Sequence, residues 1–217
     1  MGEPSAAGHR PGDEQSLEFG GLTIRYDRSV LEPRAWTIAQ SECARRLLDE
    51  VPAGPVLELC AGVGHIGLAA VLRTERSIVL VDQNPAAAAF ARQNARPLVG
   101  RATVRQAAMD EALADDERFA LVIADPPWVP TALVDRHPQD PRGAIDGGLD
   151  GLRLALECLG IIGRHLLPGG QAVLQLGTAE QARDLVSPAR SVGLRPAGLQ
   201  THERGVVVRL VNDSAGG

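Results

Sequence analysis

Residues 56 to 67 read VLELCAGVGHIG, and no other segment says as much about the fold. An apolar run ends in a loop with the spacing Gly62-x-Gly64-x-x-Gly67, and a helical pattern follows the loop. Glycines at this spacing permit a tight turn and a close approach of the backbone to a ligand. An acid, Asp82, ends the next apolar run, where a carboxylate can receive two ribose hydroxyls. The stretch therefore predicts a nucleoside-binding strand-loop-helix unit.

Short apolar runs alternate with helical patterns on both sides of this unit. The middle runs are almost continuous in apolar residues, as strands covered on both faces are. We predict an α/β fold with a doubly wound, mostly parallel seven-stranded sheet and a terminal antiparallel hairpin. The predicted strands are residues 55–60, 77–82, 102–106, 119–125, 171–177, 195–201 and 205–211.

Capping signals mark the predicted helices. Asn84 stands as N-cap before Pro85, and Thr178 with Gln181 makes a capping box for a helix after the fifth strand. The other helical stretches are HIGLAAVLR (65–73), PAAAAFARQNAR (85–96) and LRLALECLGIIGRHLL (152–167), the last stopped by a PGG sequence.

The length of 217 residues predicts one domain, over residues 18–211. Residues 1–17 are polar and rich in Gly and Pro, which predicts a disordered arm, and residues 212–217 predict a flexible tail. No apolar run reaches the roughly 20 residues that span a bilayer, and no secretory signal is recognisable. Three widely spaced cysteines form neither a disulfide framework nor a CxxC metal site. We therefore expect a cytoplasmic protein without a membrane segment or a metal.

The charge bears on possible partners. The formal net charge is −5, and all 22 basic residues are arginines. The acidic balance argues mildly against a broad phosphate-binding surface, but a local cluster of arginines would still serve one. The net charge therefore makes a nucleic-acid partner less favoured but does not exclude one.

Acids at the carboxyl ends of the predicted strands indicate a site. In a doubly wound sheet these ends face one crevice, and they carry Glu58, Asp82, Asp110 and Asp125. A carboxylate four residues before Gly62 would repel a pyrophosphate but suits a cation. This favours S-adenosylmethionine, which carries a sulfonium and an ammonium, over NAD. The structural alternatives are a solvated strand end for Glu58, a turn residue for Asp82 and a helix-start acid for Asp110.

The sequence ADPPWVP (124–130) predicts the acceptor site. An amide or aromatic amine nitrogen is a poor nucleophile because its lone pair is delocalised, so fixed hydrogen-bond acceptors would localise that pair. The Asp125 carboxylate and the Pro126 carbonyl are such acceptors, and the two prolines fix the backbone. Trp128 then supplies a flat wall for a planar group. The alternative is a proline turn at a strand end with a tryptophan in the core.

These motifs together resemble a known family. The chain is similar to class I S-adenosylmethionine-dependent methyltransferases, and more narrowly to the HemK/PrmC type, which methylates a glutamine side-chain amide in peptide-release factors. The resemblance covers roughly residues 20 to 211. The matching segments are VLEPRAWT (30–37), VLELCAGVGHIG (56–67), VDQNP (81–85), ADPPWVP (124–130) and AIDGGLDGL (144–152).

The resemblance implies a set of site residues. Those expected at the cofactor are Glu58, Gly62, Gly64, Asp82, Gln83, Asp110 and Asp125, and those expected at catalysis are Asp125, Pro126 and Trp128. Substrate-binding residues are expected at Pro127, Trp36 and Arg34. A position in the core is as favoured for Trp36 as substrate binding. A surface salt bridge is likewise as favoured for Arg34. Asp146 and Asp150 are interpreted as structural.

Two departures from the family leave the acceptor open. Asp125 and Trp128 stand where the release-factor enzymes have Asn and Tyr. Ionised aspartate only accepts hydrogen bonds, which suits the exocyclic amine of a nucleobase in RNA or DNA as well as an amide. The helical substrate-docking domain of bacterial members is also not recognisable before the core, which implies a small partner subunit or a different substrate. A small-molecule acceptor and a non-catalytic binding subunit of the same fold remain alternatives, and a nicotinamide dehydrogenase is the least favoured.

Overall fold

The computed structural model describes residues 14–212, so the predictions for the rest of the arm and tail lie outside the described residues. The strands of this range are β1 Gln15–Phe19, β2 Leu22–Tyr26, β3 Val56–Leu59, β4 Ile78–Asp82, β5 Ala102–Gln106, β6 Phe119–Ala124, β7 Leu166–Leu176, β8 Leu194–Thr201 and β9 Val206–Asn212. The helices are α1 Ile38–Leu47, α2 His65–Val71, α3 Pro85–Asn94, α4 Arg142–Ile145, α5 Arg153–His165, α6 Ala179–Asp184 and α7 Val186–Ser191.

Strands β3 to β9 form one seven-stranded sheet in the order β5-β4-β3-β6-β7-β9-β8. Strand β9 runs antiparallel to both of its neighbours, whereas the pairs from β5 to β7 are parallel. The predicted fold class is therefore confirmed. The chain crosses from one side of β3 to the other between β5 and β6, which puts the topological switch point at the carboxyl ends of β3 and β6.

Two apolar layers cover the sheet. Side chains from α1, α2 and α3 pack on one face, and side chains from α5, α6 and α7 pack on the other. Strand β6 is buried along its whole length, as its continuous apolar sequence predicts. The Asn84 side chain accepts a hydrogen bond from the Ala86 N–H, and the capping box of Thr178 and Gln181 is formed, so both predicted helix starts are confirmed.

An N-terminal hairpin corrects the predicted arm. Residues 15–17 belong to β1, which pairs antiparallel with β2 through a turn at Gly20 and Gly21. The hairpin is ordered because its apolar positions are buried against the helices, with Ile24 fully buried. Asn94 at the end of α3 holds it by accepting from the Arg25 N–H at 2.9 Å and donating to the Arg25 carbonyl. Similarly, Asn212 belongs to β9 rather than to the tail.

Strand β7 begins at Leu166, five residues before the predicted start. Helix α5 ends at His165, before the PGG sequence, and the PGG residues lie within β7, so the prediction that PGG stops the helix is wrong. The ring nitrogen Nδ1 of His165 lies 2.9 Å from the Glu117 carbonyl, next to the start of β6. Pairing of Leu166 with Phe119, followed by a register shift, carries the strand through the glycines.

Candidate active site

The loop between β3 and α2 is shaped by its glycines. Gly62 and Gly64 have φ angles of 54° and 81°, in the left-handed region. A Cβ at Gly64 would lie 2.8 Å from the Leu80 side chain, so this position accepts only glycine. At Gly62, by contrast, an added Cβ would meet nothing within 4 Å. The loop therefore presents an open backbone surface at Gly62, directly beyond the sheet.

Asp82 ties this loop to the end of β4. Its Oδ2 accepts from the Gly62 N–H at 2.7 Å, and its Oδ1 accepts from the Asn84 N–H at 2.8 Å. Burial raises the pKa of the Asp82 carboxyl, while the two backbone hydrogen bonds oppose that rise. Gln83 is exposed. The structure thus brings together Gly62 and Asp82, the two residues from which the sequence predicted a nucleoside site.

Glu58 lies beneath α2 and does not present a fixed negative charge. It is 2% exposed, and its Oε1 accepts from the Gly67 N–H at 3.1 Å. Its Oε2 has no hydrogen-bond partner within the described part of the chain. Burial raises the pKa of Glu58 to about 8, and the charges of Asp125 and Asp82 add to the rise. The carboxyl is thus largely neutral at pH 7, which corrects the electrostatic argument made from the sequence.

The ADPPW turn stands beside the glycine loop because β6 and β3 are neighbours. Ala124, the last residue of β6, pairs with Leu59, the last residue of β3. Asp125 therefore follows at the switch point, half-buried, and desolvation raises its pKa to about 7. Pro126 is buried and Pro127 is half-buried. Asp125 and Pro126 thus lie at the carboxyl edge of the sheet, where the sequence predicted them.

Trp128 forms a wall over the end of β7. Its ring packs so closely on Gly177 that a Cβ added there would lie 2.8 Å from Cζ3. The half-buried Trp128 side chain also packs against a small apolar cluster of Val129, Val134 and Ile145. These two contacts fix the ring, and it is not a residue of either main core.

The segment AIDGGLDGL (144–152) clamps the ADPPW turn. The Val129 N–H donates to the Ile145 carbonyl at 2.9 Å, and the Gly147 N–H donates to the Val129 carbonyl at 2.8 Å. A Cβ at Gly147 would lie 2.7 Å from the Pro127 carbonyl oxygen, so the glycine allows the two backbones to approach. Asp146 accepts from the Thr131 hydroxyl and the Gly148 N–H, which agrees with its interpretation as a structural residue.

The EPRAWT segment contacts both motifs. Arg34 donates to Asp140, in the loop after ADPPW, at 2.5 Å, and this salt bridge is partly buried rather than at the surface. The role of Arg34 in substrate binding stays a prediction. The Thr37 hydroxyl donates to the Arg34 carbonyl, and it therefore accepts from Nε2 of His65, 3.1 Å away. Trp36 is half-buried in a short 3-10 turn and belongs to none of the apolar clusters of the described chain.

Three residues that the sequence did not indicate connect the turn at Asp110 with the start of the glycine loop: Met109, Cys158 and Cys60. Asp110 is exposed in the turn after β5, and no helix begins there. Its neighbour Met109 is half-buried and accepts a weak hydrogen bond from the Cys158 thiol at 3.8 Å. The free thiol of Cys60 forms a hydrogen bond with the free thiol of Cys158, and this hydrogen bond together with burial raises the pKa of Cys60. Cys60 has a φ of 53°, the only left-handed non-glycine residue among those described, and no sequence pattern indicates that strain.

Other kinds of site are not found in the described residues. Between residues 14 and 212, no group of three His, Cys, Asp or Glu side chains is placed to hold a metal ion. Over the same range, no helix is long and apolar enough to cross a membrane.

Comparison with known proteins identifies the family. The family model described as Conserved hypothetical protein 95 matches residues 39–137. The release factor glutamine methyltransferase of Geobacter sulfurreducens is 34% identical over 169 residues, which cover 75% of this chain and 58% of that protein. The same enzyme of Caulobacter vibrioides is 31% identical over 201 residues, which cover 87% of this chain and 69% of that protein.

A solved structure shares the fold at lower identity. The 16S rRNA N2 G1207 methyltransferase of T. thermophilus, in complex with AdoMet and guanosine, has a TM-score of 0.70 and 19% identity, over 95% of this chain and 52% of that chain. Among the sequence relatives, the chain spans only 58% of the length of the Geobacter protein. On its fold and on these relatives, the chain belongs to the class I S-adenosylmethionine-dependent methyltransferases, in the family of the release factor glutamine methyltransferases.

Proposed function

We propose that this protein transfers a methyl group from S-adenosylmethionine to a planar nitrogen, and that the acceptor is a glutamine side-chain amide of a protein substrate. The observation that carries the proposal is the position of the ADPPW turn. Asp125 follows β6 at the switch point, beside the loop that Asp82 fixes. The loop that we assign to the cofactor and the acceptors that we assign to the nitrogen therefore lie at one edge of the sheet, which supports the proposal.

The residues present fit S-adenosylmethionine. The open space beside Gly62 leaves room for a ligand against the loop backbone, and Asp82 retains lone pairs for ribose hydroxyls. Gly64 shapes the loop, and Gln83 and Asp110, both exposed, are the further residues that we assign to the nucleoside. The bound cofactor supplies a methyl group activated by a sulfonium. A cation there also favours ionisation of the buried Glu58 carboxyl beneath the loop.

The chain's own contribution is to hold and orient the acceptor nitrogen. The Asp125 carboxyl accepts one N–H and the Pro126 carbonyl accepts the other, which directs the lone pair toward the methyl group. Trp128 packs on one face of the planar group, and its contact with Gly177 keeps that wall in place. The half-buried position of Asp125 excludes part of the water that would compete for these hydrogen bonds.

The protonation of Asp125 bears on the identity of the acceptor. With a pKa of about 7, the carboxyl is present in both forms near neutrality. The neutral form donates an O–H and accepts an N–H, which matches a primary amide as asparagine does. The family relatives, named release factor glutamine methyltransferases, support this acceptor, and so does the net charge of −5, which disfavours nucleic acid.

A second acceptor follows from the same residue. When it is ionised, Asp125 only accepts hydrogen bonds, and that suits the exocyclic amine of a nucleobase. Methylation of RNA or DNA is therefore the rival function. A partner subunit that supports substrate binding, and a cytoplasmic site of action, stay predictions.

The cofactor is tested by calorimetric titration of the protein with S-adenosylmethionine and, separately, with NAD. We expect binding of S-adenosylmethionine, loss of that binding in Asp82→Ala, and no binding of NAD. Asp49→Ala, at an exposed position just beyond the carboxyl end of α1, is the control. If the wild-type protein binds neither ligand, the reading as an autonomous enzyme is wrong, and the non-catalytic subunit becomes the better account.

The acceptor is tested with methyl-labelled S-adenosylmethionine and two substrates, a purified bacterial release factor and an adenine-containing RNA. We expect label in the release factor. At pH 8, where most of Asp125 is ionised, Asp125→Asn should transfer at least as fast as the wild type because the amide restores a donor. Label in the RNA alone, with Asp125→Asn inactive, would establish the exocyclic amine instead.

A further inference from the structure

The side chain of Gln181, on α6, makes contacts that its capping role does not require. It is 6% exposed. Its Nε2 donates to the Trp128 carbonyl and to the Asp150 carbonyl, each at 3.0 Å. Its Oε1 accepts from the Gly177 N–H at 2.9 Å and from the Thr178 N–H at 3.2 Å. Two carbonyls on one side and two N–H groups on the other fix the orientation of the amide.

The four partners of this amide belong to three separate parts of the chain. One is the ADPPW turn, one is the glycine-rich clamp that follows it, and one is the end of β7. Gly177 is also the residue on which the Trp128 ring packs. Gly151 of the clamp lies so close to the Trp128 carbonyl that a Cβ there would be 3.0 Å from the carbonyl carbon. The backbone of Trp128 and its ring are thus held by neighbouring atoms of the same junction.

We propose that Gln181 is a positioning residue that sets the Trp128 wall, and through the Trp128 backbone the direction of the Asp125–Pro126 acceptors. The physical reason is that, among the contacts of the described residues, no other side chain donates to the Trp128 and Asp150 carbonyls. A buried carbonyl left without its donor is costly, so loss of the amide shifts the turn. The effect on turnover rests on the proposed function; the effect on the Trp128 ring does not.

Three variants separate positioning from helix capping. Gln181→Glu keeps an oxygen for the Gly177 and Thr178 N–H groups but turns a carboxylate oxygen toward the Trp128 and Asp150 carbonyls. Thr178→Ala removes the acceptor of the Gln181 N–H, at 3.1 Å, and leaves the amide in place. Gln181→Met, which is similar in length and apolar, replaces Gln181→Glu if that variant does not fold.

The first readout is the fluorescence of Trp128 in a Trp36→Phe background, where it is the only tryptophan of the chain. We expect Gln181→Glu to raise acrylamide quenching of Trp128, and Thr178→Ala to leave quenching unchanged although it lowers the melting temperature. Lowering the pH from 7 to 5 should reverse the effect in Gln181→Glu, because the protonated carboxyl regains a donor. Equal quenching in Gln181→Glu and Thr178→Ala would show that the residue only caps α6.

The second readout uses the native tryptophans. We expect Gln181→Glu to bind S-adenosylmethionine as the wild type does and to lose roughly tenfold in kcat, the equivalent of one buried hydrogen bond. An unchanged kcat together with unchanged quenching would overturn the proposal. If the wild-type protein methylates no acceptor, the proposed function fails, and the fluorescence series still decides the role of Gln181.

Discussion

The buried carboxyl of Glu58 makes the stability of this protein depend on pH in a way that a single substitution can isolate. Glu58 lies beneath α2, with Oε1 bonded to the Gly67 N–H and Oε2 without a partner among the described residues. Glu58→Gln is the neutral isostere of the protonated side chain. It keeps the acceptor for Gly67 and never ionises.

The magnitude follows from the two pKa values. The pKa of Glu58 rises from 4.5 to about 8 on folding. Below pH 4.5 the carboxyl is protonated in both the folded and the unfolded state, so it lowers the free energy of unfolding by nothing. Between pH 4.5 and 8 only the unfolded chain ionises, so the free energy of unfolding falls as the pH rises; the loss is complete once the pH has passed 8. The wild type should therefore lose about 1.4 kcal/mol per pH unit relative to Glu58→Gln, or roughly 4 kcal/mol in all by pH 8.

Urea unfolding of both proteins at pH 5, 6, 7 and 8 measures this difference. Other titrating groups are common to the two proteins and cancel. Glu42→Gln, at an exposed position of α1, is the matched control. A flat difference for Glu58→Gln would refute the reasoning, because it would mean that the carboxyl ionises in the folded state as freely as in the unfolded chain.

Two further predictions concern the acceptor side of the site. Gly177→Ala should lower the free energy of unfolding by about 1–3 kcal/mol, because the added Cβ would overlap the Trp128 ring. Gly143→Ala is the control and should cost little, because a Cβ added there would have no atom within 4 Å. Thermal unfolding of both variants measures the difference. Turnover with a glutamine amide should fall as the pH rises through the pKa of Asp125, which is about 7 in the free protein and lower beside a bound cation, because Asp125 then loses the proton that it donates; the profile of Asp125→Asn should lack that fall. A rise through the same range would favour the exocyclic amine.

Local patterns located most of the elements and the outline of the site. The carboxyl ends of the strands of the main sheet lie within one residue of the predicted ends, and the N-cap Asn84 and the capping box at Thr178 are formed as predicted, because each depends on neighbours in the sequence. The hairpin of β1 and β2 was missed because its polar first residues resemble the arm before it, whereas its apolar residues become ordered by packing on α2 and α3. The early start of β7 was missed for the same reason, since its pairing with β6 carries the strand through two glycines.

Local patterns were enough to predict the parallel sheet, the glycine loop and the proximity of Gly62, Asp82 and Asp125, because the carboxyl ends of neighbouring parallel strands lie at one edge of the sheet. Tertiary structure alone decided the chemical state of the acids and the fixing of the wall. Burial, which no local pattern encodes, holds Glu58 largely neutral and raises the pKa of Asp125 to about 7. Contacts between residues far apart in the chain, such as Gln181 with Trp128, then fix the acceptor turn in place.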